Sequence, residues 1–143
     1  MTRVFGIDIR KGNIRSQTVS PHFSLVCVED GKVVFEEKEV SIPKLFRMLR
    51  QDRPDILAVD SVQEIAPSDK DLFSFLSAMP AETKLVQVTG DGIKMESLPS
   101  VAARYNLKFD KTNPAEEAKA SALVASFGGG YEVLAFEGVT TVT

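Results

Sequence analysis

The stretch VFGIDI, residues 4–9, decides how the rest of the chain is read. Val4, Phe5, Ile7 and Ile9 make an apolar run of strand length, the pattern of a strand covered on both faces. Asp8 interrupts that run with Ile9 still to come, so its carboxylate belongs to the strand and not to the turn after it. A carboxylate taken out of water is costly unless a cation or hydrogen-bond donors meet it. The run therefore raises a chemical question as well as a structural one: what Asp8 would be held there to bind.

Around this stretch the composition bounds the answer. The chain has 143 residues, of which 43% are hydrophobic and 26% charged, enough for one globular domain with a substantial core. One cysteine, Cys27, in the apolar run FSLVCV, excludes a disulfide framework and a cysteine-rich zinc site, and is expected in the core. The one histidine, His22, follows Pro21 in a polar segment and reads as a surface residue, which leaves little support for histidine-dependent chemistry. No apolar stretch reaches the roughly 18 residues of a membrane span, and MTRVFGID enters a strand without a signal-peptide pattern, so a cytoplasmic protein with no membrane partner is expected. A formal charge of −3 gives no global attraction to nucleic acid; any such binding needs a local basic patch.

Beyond residue 22, FSLVCVEDGKVVFEEKEVS (23–41) reads as a hairpin turning at Asp30-Gly31. Ser41 can cap a helix with Pro43 in its first turn and a stripe of Leu45, Phe46 and Leu49. DILAVDS (55–61) is a second buried strand ending on an acid, Asp60, which reads either as a site residue or as a strand-end turn residue. Ser68 and Asp71 form a capping-box pattern opening the helix DKDLFSFLSAM. TKLVQVTG (83–90) is a third core strand, ESLPSVAARYNL (96–107) an amphipathic helix, NPAEEAKASALVASF (113–127) a last helix closed by glycines, and YEVLAFEGVTTVT one or two strands.

A strand and an antiparallel hairpin followed by alternating helices and apolar strands implies an α/β mixed sheet with helices on both faces. The right-handed crossover rule allows residues 55–61 to lie parallel beside the first strand, where the sheet changes direction. Asp8 and Asp60 then become neighbours about 4.8 Å apart across strands, near enough to share one cation. Without a cation, one of their pKa values would be pushed up. In the last helix, Asn113, Pro114 and Glu116 have the spacing of a capped helix start, so capping alone accounts for Glu116. Glu117 shares a face with Ser121 and Val124, beside the small stripe of Ala118, Ala122 and Ala125; it reads either as a third acid of the site or as a solvated first-turn acid favoured by the helix dipole. Glu64, four residues past Asp60, reads as loop surface within reach of the same place.

On these residues the chain resembles the RNase H superfamily, on the side of RuvC-type Holliday-junction resolvases: GIDI on the first strand, LAVDS on the fourth, and an alanine-rich last helix bearing an acid. More closely, DILAVDS, KLVQVTG, ESLPSVAARYNL, NPAEEAKASALVAS and YEVLAFEGVT, in that order, resemble an archaeal family of uncharacterised proteins predicted to carry a RuvC-like nuclease domain. The resemblance implies an RNase H-like fold with a five-stranded sheet in the order 3-2-1-4-5. It also implies a Mg²⁺ or Mn²⁺ site built from Asp8, Asp60 and Glu117, and metal-dependent phosphodiester hydrolysis on structured DNA or RNA. Two departures from the resolvase pattern stand out. The fourth strand carries Asp60 where resolvases typically have glutamate, and three residues beyond Glu117 comes Ala120, with Ser121 next, where a second helix acid is expected.

Arg10, Lys11 and Arg15, in RKGNIRSQTVS directly after Asp8, are placed to grip phosphates, or else form an ordinary solvated loop. Because proteins of the archaeal family continue into a basic region, the 143 residues are expected to be an N-terminal domain of a longer protein. A homodimer would suit a four-way junction. Two further classes stay open: a catalytically degenerate scaffold that binds nucleic acid or a protein partner, and an actin-like phosphotransferase, since sugar kinases and actin-like ATPases also open on GIDI.

Overall fold

The computed structural model describes residues 2–11, 22–59, 65–66, 68–88, 114–126 and 132–133, with the backbone alone at 9–11, 114–117 and 132. Its elements are β1 (Arg3–Lys11), β2 (His22–Glu29), β3 (Lys32–Ser41), α1 (Ile42–Asp52), β4 (Ile56–Val59), α2 (Asp69–Ala78), β5 (Lys84–Gln87), α3 (Pro114–Ser126) and β6 (Glu132–Val133). The strands form one mixed sheet in the order β3-β2-β1-β4-β5-β6. The first five follow the expected 3-2-1-4-5. The short β6 adds a sixth strand, antiparallel to β5 through Val86 and Val133.

Local chemistry explains most of these boundaries. The hairpin turns at Asp30 and Gly31, both with positive φ (54° and 78°), the conformation a tight two-residue turn demands. Ser41 caps α1 by accepting a hydrogen bond from the Lys44 N–H at 3.3 Å. The helix stops at Arg53, which takes a left-handed conformation (φ 49°) and donates its N–H to the Leu49 carbonyl, before Pro54 forbids continuation. Ser68 caps α2: its hydroxyl accepts from the Asp71 N–H at 3.2 Å and donates to the Asp71 carboxylate at 2.8 Å.

Alternation along the strands divides the core into two layers. Phe5, Ile7, Phe23, Leu25, Cys27, Leu57, Val59 and Leu85 face α1 and α2, meeting Leu45, Leu49 and Phe75. Val4, Val26, Val28, Ile56, Ala58 and Val86 face α3. Helices thus cover both faces, which is why β1 and β4 read as nearly continuous apolar runs. Cys27 is fully buried, as expected, and desolvation pushes its thiol up to about 11. Among the described residues no helix is long and apolar enough to cross a membrane.

Three boundaries differ from the sequence reading. β1 runs on to Lys11, so Arg10 and Lys11 belong to the strand and not to a loop after Asp8; pairing with β2 carries the strand on, with Lys11 opposite His22 after an irregularity at Ile9. His22 is accordingly the first residue of β2, half-buried and paired with Ser41 across to β3. β4 begins at Ile56, one residue later than expected, and the far end of the expected strand, residues 60–61, lies outside the described residues. The expected helix at 96–107 lies outside the described residues.

At the N-terminal end of β1, Arg3 ties three elements together. Its guanidinium donates to Asp52 and Glu29, both at 2.7 Å, and its backbone N–H donates to the Asp55 carboxylate at 2.8 Å. These bonds, to Asp52 first and then Glu29, hold the guanidinium firmly charged. A cleft of about 260 Å³ beside it is lined by Phe5, Phe35, Met48 and Gln51. With Arg3 already committed to two carboxylates, this corner is a clasp between the first strand, the hairpin and α1.

Candidate functional site

Asp8 lies five residues farther along β1 than that clasp, or about 17 Å along an extended strand. It is 7% exposed. By alternation it shares the α3-facing side of the sheet with Val4 and Gly6, and its cross-strand partner Ser24 shares that side with Val26 and Val28. The carboxylate is thus set at the sheet's centre, in the layer between strands and α3, on the strand whose partner is antiparallel on one side and parallel on the other. That junction, at the carboxyl ends of parallel strands, is where open α/β sheets characteristically bind their ligands.

The glycine two residues before Asp8 brings the last helix into this layer. A Cβ built on Gly6 would collide with the carbonyl oxygen of Ala118 and come within 2.8 Å of the Ala122 Cβ. Only a residue without a side chain lets α3 lie this close to β1. Ala118, Ala122 and Ala125 are all buried there, so the small stripe read from the sequence is the surface that seats the helix. Glu117 is the fourth residue of α3, immediately before the residue whose backbone rests on Gly6. Its position is therefore one residue along the helix from a point about 7 Å from Asp8 on the same strand face.

β4 lies parallel to β1, with Ile7 opposite Val59, and Asp60 is the next residue of the chain. Asp60, the side chains of Glu117, Arg10 and Lys11, all of Arg15, and Glu64 lie outside the described residues. Among the described residues no three histidine, cysteine, aspartate or glutamate side chains gather in one place.

Two polar residues lie in the same layer: Ser24, which the sequence did not single out, and Ser121, which it set on the face of Glu117. Ser24 is 1% exposed and Ser121 is fully buried, and neither hydroxyl finds a hydrogen-bond partner among the described residues. An unmet buried hydroxyl costs on the order of 1–3 kcal/mol. Ser121 was noted as standing near a missing second acid; the structure places it inside the apolar layer beside Ala118, Ala122 and Ala125, where an ionised side chain would be far costlier. Ser24 stands in the apolar run 23–28, where nothing local marks it. Its signal was pairing across the sheet, which requires the register of β1 on β2.

Among the described residues this layer offers one carboxylate, Asp8, and two hydroxyls, all oxygen donors. A buried carboxylate and neutral hydroxyl oxygens are the ligand and water-orienting types that Mg²⁺ and Mn²⁺ favour, whereas the thiol of Cys27 faces the other side of the sheet. No protein-family model, no curated protein and no solved structure matches the chain.

Proposed function

We propose that the chain is a divalent-metal-dependent nuclease of the RuvC-like, RNase H-like kind, with Asp8, Asp60 and Glu117 as its metal ligands. The observation that carries this reading is Asp8 itself: a carboxylate 7% exposed on the central strand, in the layer where α3 presses on β1 beside Glu117. The sheet order and the helices on both faces are compatible with an RNase H-like fold. Mg²⁺ or Mn²⁺ held there would supply an activated water and neutralise charge on the scissile phosphate. The protein's own part is to hold the Asp8 carboxylate on β1, with Glu117 carried on α3 and Asp60 following β4 in the chain. Arg10, Lys11 and Arg15, following Asp8 in the chain, would hold the nucleic-acid backbone by phosphate contacts that carry no sequence information.

One observation favours a second reading, a catalytically degenerate scaffold that binds nucleic acid or a protein partner. Ser121, where a second helix acid is expected, is buried among alanines, and residues 118–126 carry no acid. Incubating the protein with branched DNA, RNA–DNA hybrid and single strands in Mn²⁺ separates the two. Cleavage lost in Asp8→Asn supports the nuclease; cleavage that survives Asp8→Asn refutes the site. Binding without cleavage by the wild type favours the scaffold.

A further inference from the structure

Ser24 stands directly opposite Asp8 in the antiparallel pairing of β1 and β2, which puts their Cβ atoms about 5 Å apart on the face covered by α3. A buried strand serine ordinarily satisfies its hydroxyl on a neighbouring carbonyl or side chain. Ser24, 1% exposed, does neither among the described residues. Its other flank is irregular. Phe23 pairs with Val40, but Leu25 pairs with Glu37, so three steps along β3 answer two along β2, and the bulge falls beside Ser24. Bulges beside functional sites re-aim a side chain, and the Ser24 hydroxyl beside this one meets no partner on either neighbouring strand. Alanine or valine would fill the place at no polar cost, as Val26 and Val28 do farther along the same face.

We infer that Ser24 is a positioning residue for a divalent cation bound at Asp8, its hydroxyl orienting a water of that cation. The inference rests on the metal site proposed above. Oxygen-ligated Mg²⁺ and Mn²⁺ keep several waters, and a neutral hydroxyl at cross-strand distance from a ligating carboxylate can hold one of them in place. The hydroxyl is then an orphan only in the metal-free protein. This predicts opposite responses of two properties to one substitution: removing the hydroxyl relieves an unmet polar group in the metal-free fold and weakens the bound state.

The test follows free Mn²⁺ by electron paramagnetic resonance in titrations of wild type, Ser24→Ala and Asp8→Asn, with thermal melts of each protein in chelator. The expected result is that Ser24→Ala binds Mn²⁺ about tenfold or more weakly than wild type, as removal of an outer-shell partner does, while its metal-free melting temperature is unchanged or raised. If Asp8→Asn abolishes Mn²⁺ binding but Ser24→Ala binds within about twofold of wild type, the role of Ser24 is refuted and the Asp8 site stands. If Asp8→Asn binds as wild type does, or wild type binds no Mn²⁺, the site and the role of Ser24 fall together. A metal-free Ser24→Ala protein that melts markedly lower than wild type also overturns the inference, since it would show the hydroxyl to be a structural bond.

Discussion

Gly6 and Ala122 are in contact so close that a single methyl group on Gly6 would lie 2.8 Å from the Ala122 Cβ and 2.9 Å from its backbone nitrogen. The obstacle includes helix backbone, which cannot rotate away as a flexible side chain would. Gly6→Ala must therefore lift α3 from β1 or displace the strand. Overpacking of this kind costs on the order of 1–3 kcal/mol, and backbone collision puts the expected loss at the upper end. Urea unfolding of the variant checks it, with a lower midpoint and an unchanged slope as the expected result. Unchanged stability would mean that α3 does not seat on Gly6.

Arg53 ends α1 in a left-handed conformation with φ 49°, which side chains adopt at a cost and glycine does not. Its ion pair with Glu82, at 3.5 Å between well-exposed groups, adds little in return. Arg53→Gly should stabilise the protein by about 0.5–1 kcal/mol, because the cap hydrogen bond to Leu49 is made by the backbone and survives the change. A raised midpoint in thermal or urea unfolding is the expected reading; a lowered one would show that the Arg53 side chain contributes more than its geometry indicates.

Cys27 gives a pH dependence whose sign is fixed. Burial raises its thiol from an ordinary value of 9.0 to about 11, so on raising the pH the unfolded chain releases this proton first. The folded state then binds more protons than the unfolded one, and stability falls with pH. The contribution is intact below pH 9 and is lost progressively toward pH 11. Stability curves of wild type and Cys27→Ala over that interval isolate it. The wild type should lose on the order of 1 kcal/mol more than the variant as the pH rises, whatever the variant's absolute stability. Parallel curves would show that the thiol is not protected from water.

Asp8→Asn removes the charge at the proposed metal site while keeping its size. Abolished Mn²⁺ binding is expected, together with loss of any wild-type nuclease activity. Equal Mn²⁺ affinity in the two proteins would dissociate Asp8 from metal binding altogether.

Sequence alone was enough for what depends on near neighbours. The Asp30-Gly31 turn, the serine caps at Ser41 and Ser68, and the apolar runs of β1 and β4 are properties of a few adjacent residues, and the structure reproduces each of them. The crossover rule allowed β4 to lie parallel beside β1, as it does, whereas the full order of the first five strands was implied by the resemblance. Asp8 was recognisable because a charge in an apolar run is anomalous without any knowledge of its neighbours. Ser24 and Gly6 were not. A serine among valines and leucines carries no local signal, and its place beside Asp8 comes from pairing across strands separated by a long connection. The role of Gly6 comes from a helix more than a hundred residues away in the chain, whose backbone leaves no room for a methyl group. Register and close packing are set by the summed fit of distant surfaces, so they are decided only when the chain has folded.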